Sequence, residues 1–313
     1  MKNSFLTLAD FSKDELMEII NIAIMLKEMR RKKVFKKYLE NVKGAFIFEK
    51  PSTRTRISFE TGLVEMGAYP MILSKNDLQL SRGESIKDTA KIISLFTDLL
   101  VIRTSSHKNV EEFAKYADIP VINALTDKYH PCQVLADMLT IYEIFNTFEG
   151  LKIAYIGDGN NIANSLAIAC AIFGLSFSIA TPKGYEVSRD IVKKAKAISK
   201  DFKLFETNKP AEAVIDADIV YTDVWISMGD EDKREKRMLD FKRFTVNKEL
   251  MEKTGKNSYF MHCLPAHIGL EVERDVLYSD RSLIYRQSEN RLHIQKALVL
   301  KLLQINVGGE DDG

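Results

Sequence analysis

This sequence predicts an α/β fold of two domains, each a parallel sheet flanked by helices, and three observations carry that prediction. Short apolar runs alternate with segments of helical periodicity, the pattern in which parallel strands are joined through helical crossovers. The alternation stops once, at Phe148-Glu-Gly150, and then restarts as a second series. The chain's 313 residues also exceed one ordinary core and suffice for two domains of about 150.

The elements follow in order. Ser12-x-x-Glu15 is a capping box, and the spacing of Leu16, Ile19, Ile20, Ala23, Ile24 and Leu26 predicts a helix running to about Leu39. Arg30-Arg-Lys-Lys33 and Lys36-Lys37 lie toward its far end, where the helix dipole favours cations. Strands are then expected at about 44–48, 70–73, 99–102 and 120–122, with helices at about 53–66, 86–97, 109–116 and 132–145. In the second series strands are expected near 151–156, 176–180, 202–205, 218–222 and 258–261, with helices at about 161–173, 188–199 and 209–215. A last helix, about 290–304, follows the end of that series and is expected to return to the first domain. The expected domains are therefore 1–148 plus 290–313, and 149–289, with a double crossing at the boundary that suits hinge closure.

Composition excludes several classes of function. Lys+Arg (45) and Asp+Glu (44) nearly cancel, so no overall field favours nucleic acid or an anionic membrane. Three cysteines, Cys132, Cys170 and Cys263, form no close pair, which argues against a disulfide framework and for a reducing compartment. The N-terminus lacks a signal-peptide pattern, and the longest apolar run, Leu166 to Phe173, is far short of the roughly 20 residues a membrane span requires. The expected location is the cytoplasm.

Chemistry-bearing residues follow the apolar runs. Glu49-Lys-Pro-Ser-Thr-Arg-Thr-Arg56 joins Gly44–Phe48 to the helical pattern that starts at Ile57. Hydroxyls, unpaired N–H groups and guanidinium forks at a helix start make an anion trap. The plainer alternative, an N-cap beside solvated arginines, does not account for five polar or cationic residues in a row. Arg103, after Leu99–Ile102, reads equally as a solvated strand end or a clamp. In Tyr129-His-Pro-Cys-Gln133 the proline suits a first helical position; His130 there is either a cap or, with Gln133, a donor to a carbonyl oxygen. Gly157-Asp-Gly-Asn-Asn161 looks like a dinucleotide fingerprint, but Ile162 stands where its third glycine belongs. The asparagines suit a polar ligand better. Asp223 heads Asp223-Val-Trp-Ile-Ser-Met-Gly229 and suits a cationic amine. Met261-His-Cys-Leu-Pro-Ala-His267 brings Cys263 and two histidines, but H-C-x3-H is not a usual zinc spacing, and no metal is expected.

S-T-R-T-R, H-P-C-Q, D-V-W-I-S-M-G and H-C-L-P, in this order, resemble the carbamoyltransferases, and within them the ornithine branch. The resemblance runs from about Leu6 to Leu302. S-T-R-T and H-P-x-Q mark the superfamily, while S-M-G and H-C-L-P mark the ornithine branch; aspartate enzymes characteristically carry histidine-proline-leucine-proline in place of the last. The resemblance implies that Ser52, Thr53, Arg54 and Thr55 hold the phosphate of carbamoyl phosphate, and that Arg103, His130 and Gln133 contact its carbamoyl end. It implies that Gln79 reaches a neighbouring subunit's site, making a homotrimer, or a multiple of trimers, the working unit. Asn161, Asp223, Ser227 and Met228 match ornithine-binding positions. Cys263 and Leu264 match a pair near the reacting amine that also contacts carbamoyl phosphate, and Arg291 matches a residue facing the carbamoyl group; the catalytic residues so implied are Arg54, Arg103, His130, Cys263 and Arg291. Lys50 belongs to the first segment with a less defined part, and Gly159 and Asn164 are given none.

The implied reaction, within arginine metabolism, is attack of the δ-amine of L-ornithine on carbamoyl phosphate, giving L-citrulline and phosphate. It needs no cofactor, no nucleic acid and no membrane. Carbamoyl transfer to putrescine or N-acetylornithine is the nearest rival, and S-M-G argues against both. A nicotinamide dehydrogenase shares the strand–helix alternation but is disfavoured by the broken glycine fingerprint. A non-catalytic relative would lack the S-T-R-T arginine or the H-P-x-Q histidine, and both are present.

Overall fold

The computed structural model describes residues 4–49, 52–74, 77–226 and 231–307, so Lys50, Ser227 and Met228 lie outside the described residues. The chain forms two compact units, one spanning Met1–Leu139 and Glu289–Gly313, the other Thr140–Ser288.

The first unit holds β1 (Lys43–Phe48), β2 (Tyr69–Ser74), β3 (Leu99–Arg103) and β4 (Val121–Leu125). They form one parallel sheet in the order β2-β1-β3-β4. Every residue of β3 is buried, whereas β2 at the edge is largely open. That is why β3 reads as an unbroken apolar run: a parallel strand covered on both faces has no polar side to show. Helices α1 (Lys13–Arg31), α2 (Thr53–Glu65), α3 (Ile86–Phe96), α4 (His107–Tyr116) and α5 (Pro131–Phe145) connect and cover these strands. Ala45, Ile47, Leu100 and Ile102 of the sheet pack with Ala90 and Ile93 of α3 and Val110 and Phe113 of α4.

The second unit holds β5 (Lys152–Ile156), β6 (Ser176–Ala180), β7 (Leu204–Thr207), β8 (Ile219–Thr222) and β9 (Tyr259–His262), parallel in the order β7-β6-β5-β8-β9. Its helices are α6 (Asn161–Phe173), α7 (Arg189–Ile198), α8 (Pro210–Ala213), α9 (Arg234–Asp240), α10 (Lys248–Glu252) and α11 (Arg274–Leu277). From Ile162 to Phe173 all but one residue of α6 are buried, which explains an apolar run without an exposed stripe.

The fold class is as expected, while several element bounds differ. Helix α1 ends at Arg31 rather than near Leu39. Lys33 turns to φ +58, its N–H bonding to Arg30 O at 2.9 Å. The chain leaves the helix so that Leu39, fully buried, can donate its N–H to Met66 O at 2.8 Å, just past the end of α2. The last helix, α12 (Ile284–Leu302), starts six residues before the expected 290. From Glu289 onward it belongs to the first unit. It is fastened to α1 by buried Lys27, which donates to Asn290 Oδ1 at 2.6 Å, and to α2 by Lys296 with Glu65 at 2.8 Å. Helices α9, α10 and α11 were not expected; at 7, 5 and 4 residues they are too short to show periodicity.

Strand order fixes where ligands are met. In each sheet the winding reverses once, between β1 and β3 in the first unit and between β5 and β8 in the second. Crevices for ligands open at the carboxyl ends of strands at such reversals. The motif residues Ser52–Arg56 follow β1 and Arg103 closes β3; Gly157–Asn161 and Asp223 follow β5 and β8.

Candidate active site

In the first unit Ser52 is the N-cap residue of α2 by its backbone, yet its side chain makes no capping hydrogen bond. The plain capping reading of this serine therefore fails, and the first turn of α2 keeps its orphan donors for another partner. Thr53 is exposed, Arg54 half-buried and Thr55 buried. Arg291 of α12 donates to Thr55 Oγ1 at 3.1 Å and to Gln133 Oε1 at 2.7 Å. Arg103 Nη1 lies 3.5 Å from the same threonine oxygen. Gln133 is oriented by its own donation to Asp137 Oδ1 at 2.9 Å.

His130 sits in the residue before α5, buried, with its carbonyl accepting from Gln133 and Val134 N–H. Burial first, and then the charges of Arg291, Arg103 and Arg54, hold its imidazole well below the ordinary value of 6.5. The ring is thus neutral at physiological pH, and three guanidinium groups converge on it. Such a place favours an anion with several oxygens and leaves the imidazole free of charge to donate to a carbonyl oxygen. Cys132 of the same motif points elsewhere: its thiol donates to Asn123 O at 3.4 Å, and burial pushes it up to about 12. Gln79 stands exposed on the short turn Gln79–Arg82 between buried Leu78 and half-buried Leu80, and shares no hydrogen bond with the arginine group among the described residues.

In the second unit Asp223, buried at the end of β8, has a partner on each oxygen. Cys263 Sγ donates to Oδ1 at 3.1 Å and Asn160 Nδ2 donates to Oδ2 at 2.8 Å. Asn160 also caps α6, its Oδ1 accepting from Ile162 and Ala163 N–H at 3.0 and 3.2 Å, so the helix start holds the amide in place. The sequence marks both asparagines as suited to a polar ligand but gives a site role to Asn161 alone; the signal for Asn160 was its cap position. Asn161 opens α6, half-buried.

Cys263 and Leu264 follow β9. Leu264 N–H donates to His262 Nδ1 at 2.8 Å, so the proton on His262 is at Nε2, which faces Glu271 Oε1 at 3.3 Å; both side chains are fully buried. Leu264 itself has φ +57 and precedes a cis peptide to Pro265. Asp223, His262 and Cys263 offer one donor atom each within 4.8 Å. Both His262 nitrogens already have partners, however, so a metal ion would have to break a buried hydrogen bond to use it.

One sheet thus ends in a cationic group suited to phosphate and the other in a carboxylate–thiol pair suited to an amine. Residues 3–143 match the model of the aspartate/ornithine carbamoyltransferase carbamoyl-P binding domain, and residues 149–302 that of the Asp/Orn binding domain. The chain belongs to the aspartate/ornithine carbamoyltransferase family. It is 50% identical over 301 residues to the ornithine carbamoyltransferase of Anoxybacillus flavithermus, covering 96% of each chain. With that of Methanosarcina acetivorans it shares 46% over 304 residues, 97% of this chain and all of the other. Among solved structures it superposes on the ornithine carbamoyltransferase from Pyrococcus furiosus with a TM-score of 0.93 at 43% identity, covering 99% of this chain and 98% of that one.

Proposed function

We propose that this chain transfers the carbamoyl group of carbamoyl phosphate to the δ-amine of L-ornithine, giving L-citrulline and phosphate. The observation that carries the reading is the Cys263–Asp223–Asn160 chain of hydrogen bonds, in the span that matches the Asp/Orn binding domain. A thiol and a carboxylate suit a diamino acid, whereas the proline characteristic of the aspartate branch would remove the thiol from that contact.

Residues 1–148 with 290–313 act as the carbamoyl-phosphate domain and 149–289 as the ornithine domain. Ser52, Thr53, Arg54 and Thr55 hold the phosphate at the start of α2, with the helix dipole and the Arg54 fork taking the charge that builds as phosphate leaves. Thr55, Arg103 and His130 surround the carbamoyl oxygen, each donor worth roughly 3–4 kcal/mol once the tetrahedral oxyanion forms. Gln133 and Arg291 fix the carbamoyl end, and the Arg291–Gln133 bond at 2.7 Å supports their acting together. Asn161, Asp223, Ser227 and Met228 bind ornithine, and Cys263 and Leu264 lie near the reacting amine.

An alkyl amine with a pKa of about 10.4 is a free nucleophile in only roughly one molecule in 10³ at pH 7, which costs about 4 kcal/mol. A carboxylate beside that amine would favour its charged form. Asp223 therefore orients ornithine through its α-amino end, and the departing phosphate takes the δ-amine's proton.

Gln79 completes the phosphate site of a neighbouring copy, which makes a homotrimer the smallest working unit. Exposed Ile57 and Val64 of α2, Tyr69 and Met71 of β2, and Ile92, Leu95 and Phe96 of α3 support an interface on this unit. No helix among the described residues is long and apolar enough to cross a membrane. Three free, buried cysteines support residence in the cytoplasm. The test is citrulline formation from carbamoyl phosphate with ornithine, putrescine, N-acetylornithine or aspartate as acceptor. Turnover with ornithine at least tenfold above the others is expected, and preference for another acceptor overturns the reading.

A further inference from the structure

The second unit contains a buried cation that the reaction as described does not use. Arg237 of α9 is 5% exposed. Its Nε donates to Trp225 O at 2.5 Å and its Nη2 to the carboxylate of Asp158, itself only 9% exposed. The guanidinium carbon also lies 4.9 Å from the ring centroid of Tyr185 and 5.3 Å from that of Phe241. Tyr185 is held in turn by its hydroxyl, which donates to Asp240 Oδ2 at 2.8 Å, and Trp225 stacks on Phe241 with ring centroids 5.9 Å apart.

The two groups that Arg237 joins are in the turns that carry the amine site. Asp158 is two residues before Asn160, and Trp225 is two residues after Asp223. The turn after β5 is also pinned from below: Gly159 N–H donates to Tyr185 O at 2.8 Å, so the ring against Arg237 and the turn beside Asp158 move as one piece. A buried ion pair is a weak way to stabilise a fold, since desolvation offsets most of its attraction, and an apolar side chain would fill the same volume. What it can do is set geometry, and a planar fork with donors in fixed directions does so better than a point charge.

We propose that Arg237 is a positioning residue: it ties the turn after β5 to the turn after β8, and so sets the separation of Asn160 and Asn161 from Asp223 on which recognition of ornithine depends. The inference rests on the carbamoyl-transfer reading for its ligand, but its geometry has a readout of its own. Trp225 is the only tryptophan in the chain, and it is 3% exposed with its carbonyl on Arg237.

The experiment compares the full-length wild type with Arg237→Lys, Arg237→Gln and Asp158→Asn in two measurements. In steady-state kinetics the KM for ornithine should rise at least about tenfold in Arg237→Gln, a misplacement effect, and less in Asp158→Asn. The KM for carbamoyl phosphate should stay within about twofold, because its phosphate contacts and the arginine group lie in the first unit. In fluorescence without substrates, Trp225 emission should shift to longer wavelength and become more accessible to acrylamide. Arg237→Lys keeps the charge and loses the fork, so it should reproduce both changes and stands in if the glutamine variant does not fold. Ornithine KM within twofold of wild type, or both KM values rising in parallel, overturns the proposal, as does unchanged Trp225 emission in Arg237→Lys. A wild type that makes no citrulline would overturn the carbamoyl-transfer reading instead, leaving the Trp225 comparison to decide on the clamp.

Discussion

Arg54, Arg103 and Arg291 share one neighbourhood with His130, and the consequence is a neutral imidazole among cations. The role proposed for it is to donate a hydrogen bond, which fits a basicity too low to take a proton readily at pH 7. The rate between pH 7 and 9 should therefore follow the substrate amine alone. Free amine increases about tenfold per pH unit in that range, so turnover at subsaturating ornithine should rise, and a flat pH–rate profile would remove the amine argument. A second break between pH 7 and 9 is not expected from His130, because burial and the neighbouring guanidinium groups hold it on the acid side of 6.5, below that window. Arg54→Ala should lower kcat about 10²- to 10³-fold, the scale for losing one donor to developing charge. Near-normal turnover in that variant would take Arg54 out of the phosphate site.

The turn between β5 and α6 shows what an element contributes beyond its residues' chemistry. Asn160 is at once a cap and a partner of Asp223, so the start of α6 and the proposed amine site share one side chain. Gly159 makes the turn possible. A Cβ there would stand 2.5 Å from the carbonyl carbon of Glu186 and 2.6 Å from Tyr185 O and Val187 N, all backbone atoms that cannot rotate aside. Gly150 and Gly174, by contrast, have open space where a Cβ would go. Gly159→Ala should cost about 1–3 kcal/mol, as overpacking does, read as a lower denaturant midpoint, and an unchanged midpoint would mean that the turn shifts freely.

For the whole molecule the proposal turns on whether copies of the chain associate, because Gln79 is assigned to a neighbour's site. Leu95 and Phe96 are 74% and 68% exposed, a cost in water that an interface would relieve. Light scattering should find three chains of 35.7 kDa, or a multiple. The double variant Leu95→Asp, Phe96→Asp should give single chains and lose activity with them, and a monomeric wild type with full turnover would dispose of the shared site. The α12 contacts join it to α1 and α5 within one unit, so truncation before Glu289 should not be a neutral change: it removes Arg291 and exposes Lys27.

The helix starts, the strands and the order of the motifs were legible because each rests on neighbours a few residues apart: caps at i and i+3, periods of 2 and 3.6, an apolar run closed by a polar residue. On that basis Ser52–Arg56 stood out as an anion trap and Asp223 as a partner for an amine, Arg103 and His130 stayed open between two readings, and the family resemblance supplied Arg291, Gln79 and the remaining contacts. Other features had no local signal. Arg291 meets Thr55 from 236 residues away and Gln133 from 158, and Arg237 meets Asp158 from 79. The end of α1 at Arg31 was decided by where Leu39 is buried, and Asn160 gained its second partner only when β5 and β8 became neighbours. By itself, then, the sequence determined which segments are strands and helices and which chemistry each strand end carries. The tertiary structure alone decided which ends meet, because strand order is settled by long-range burial and no local period records it.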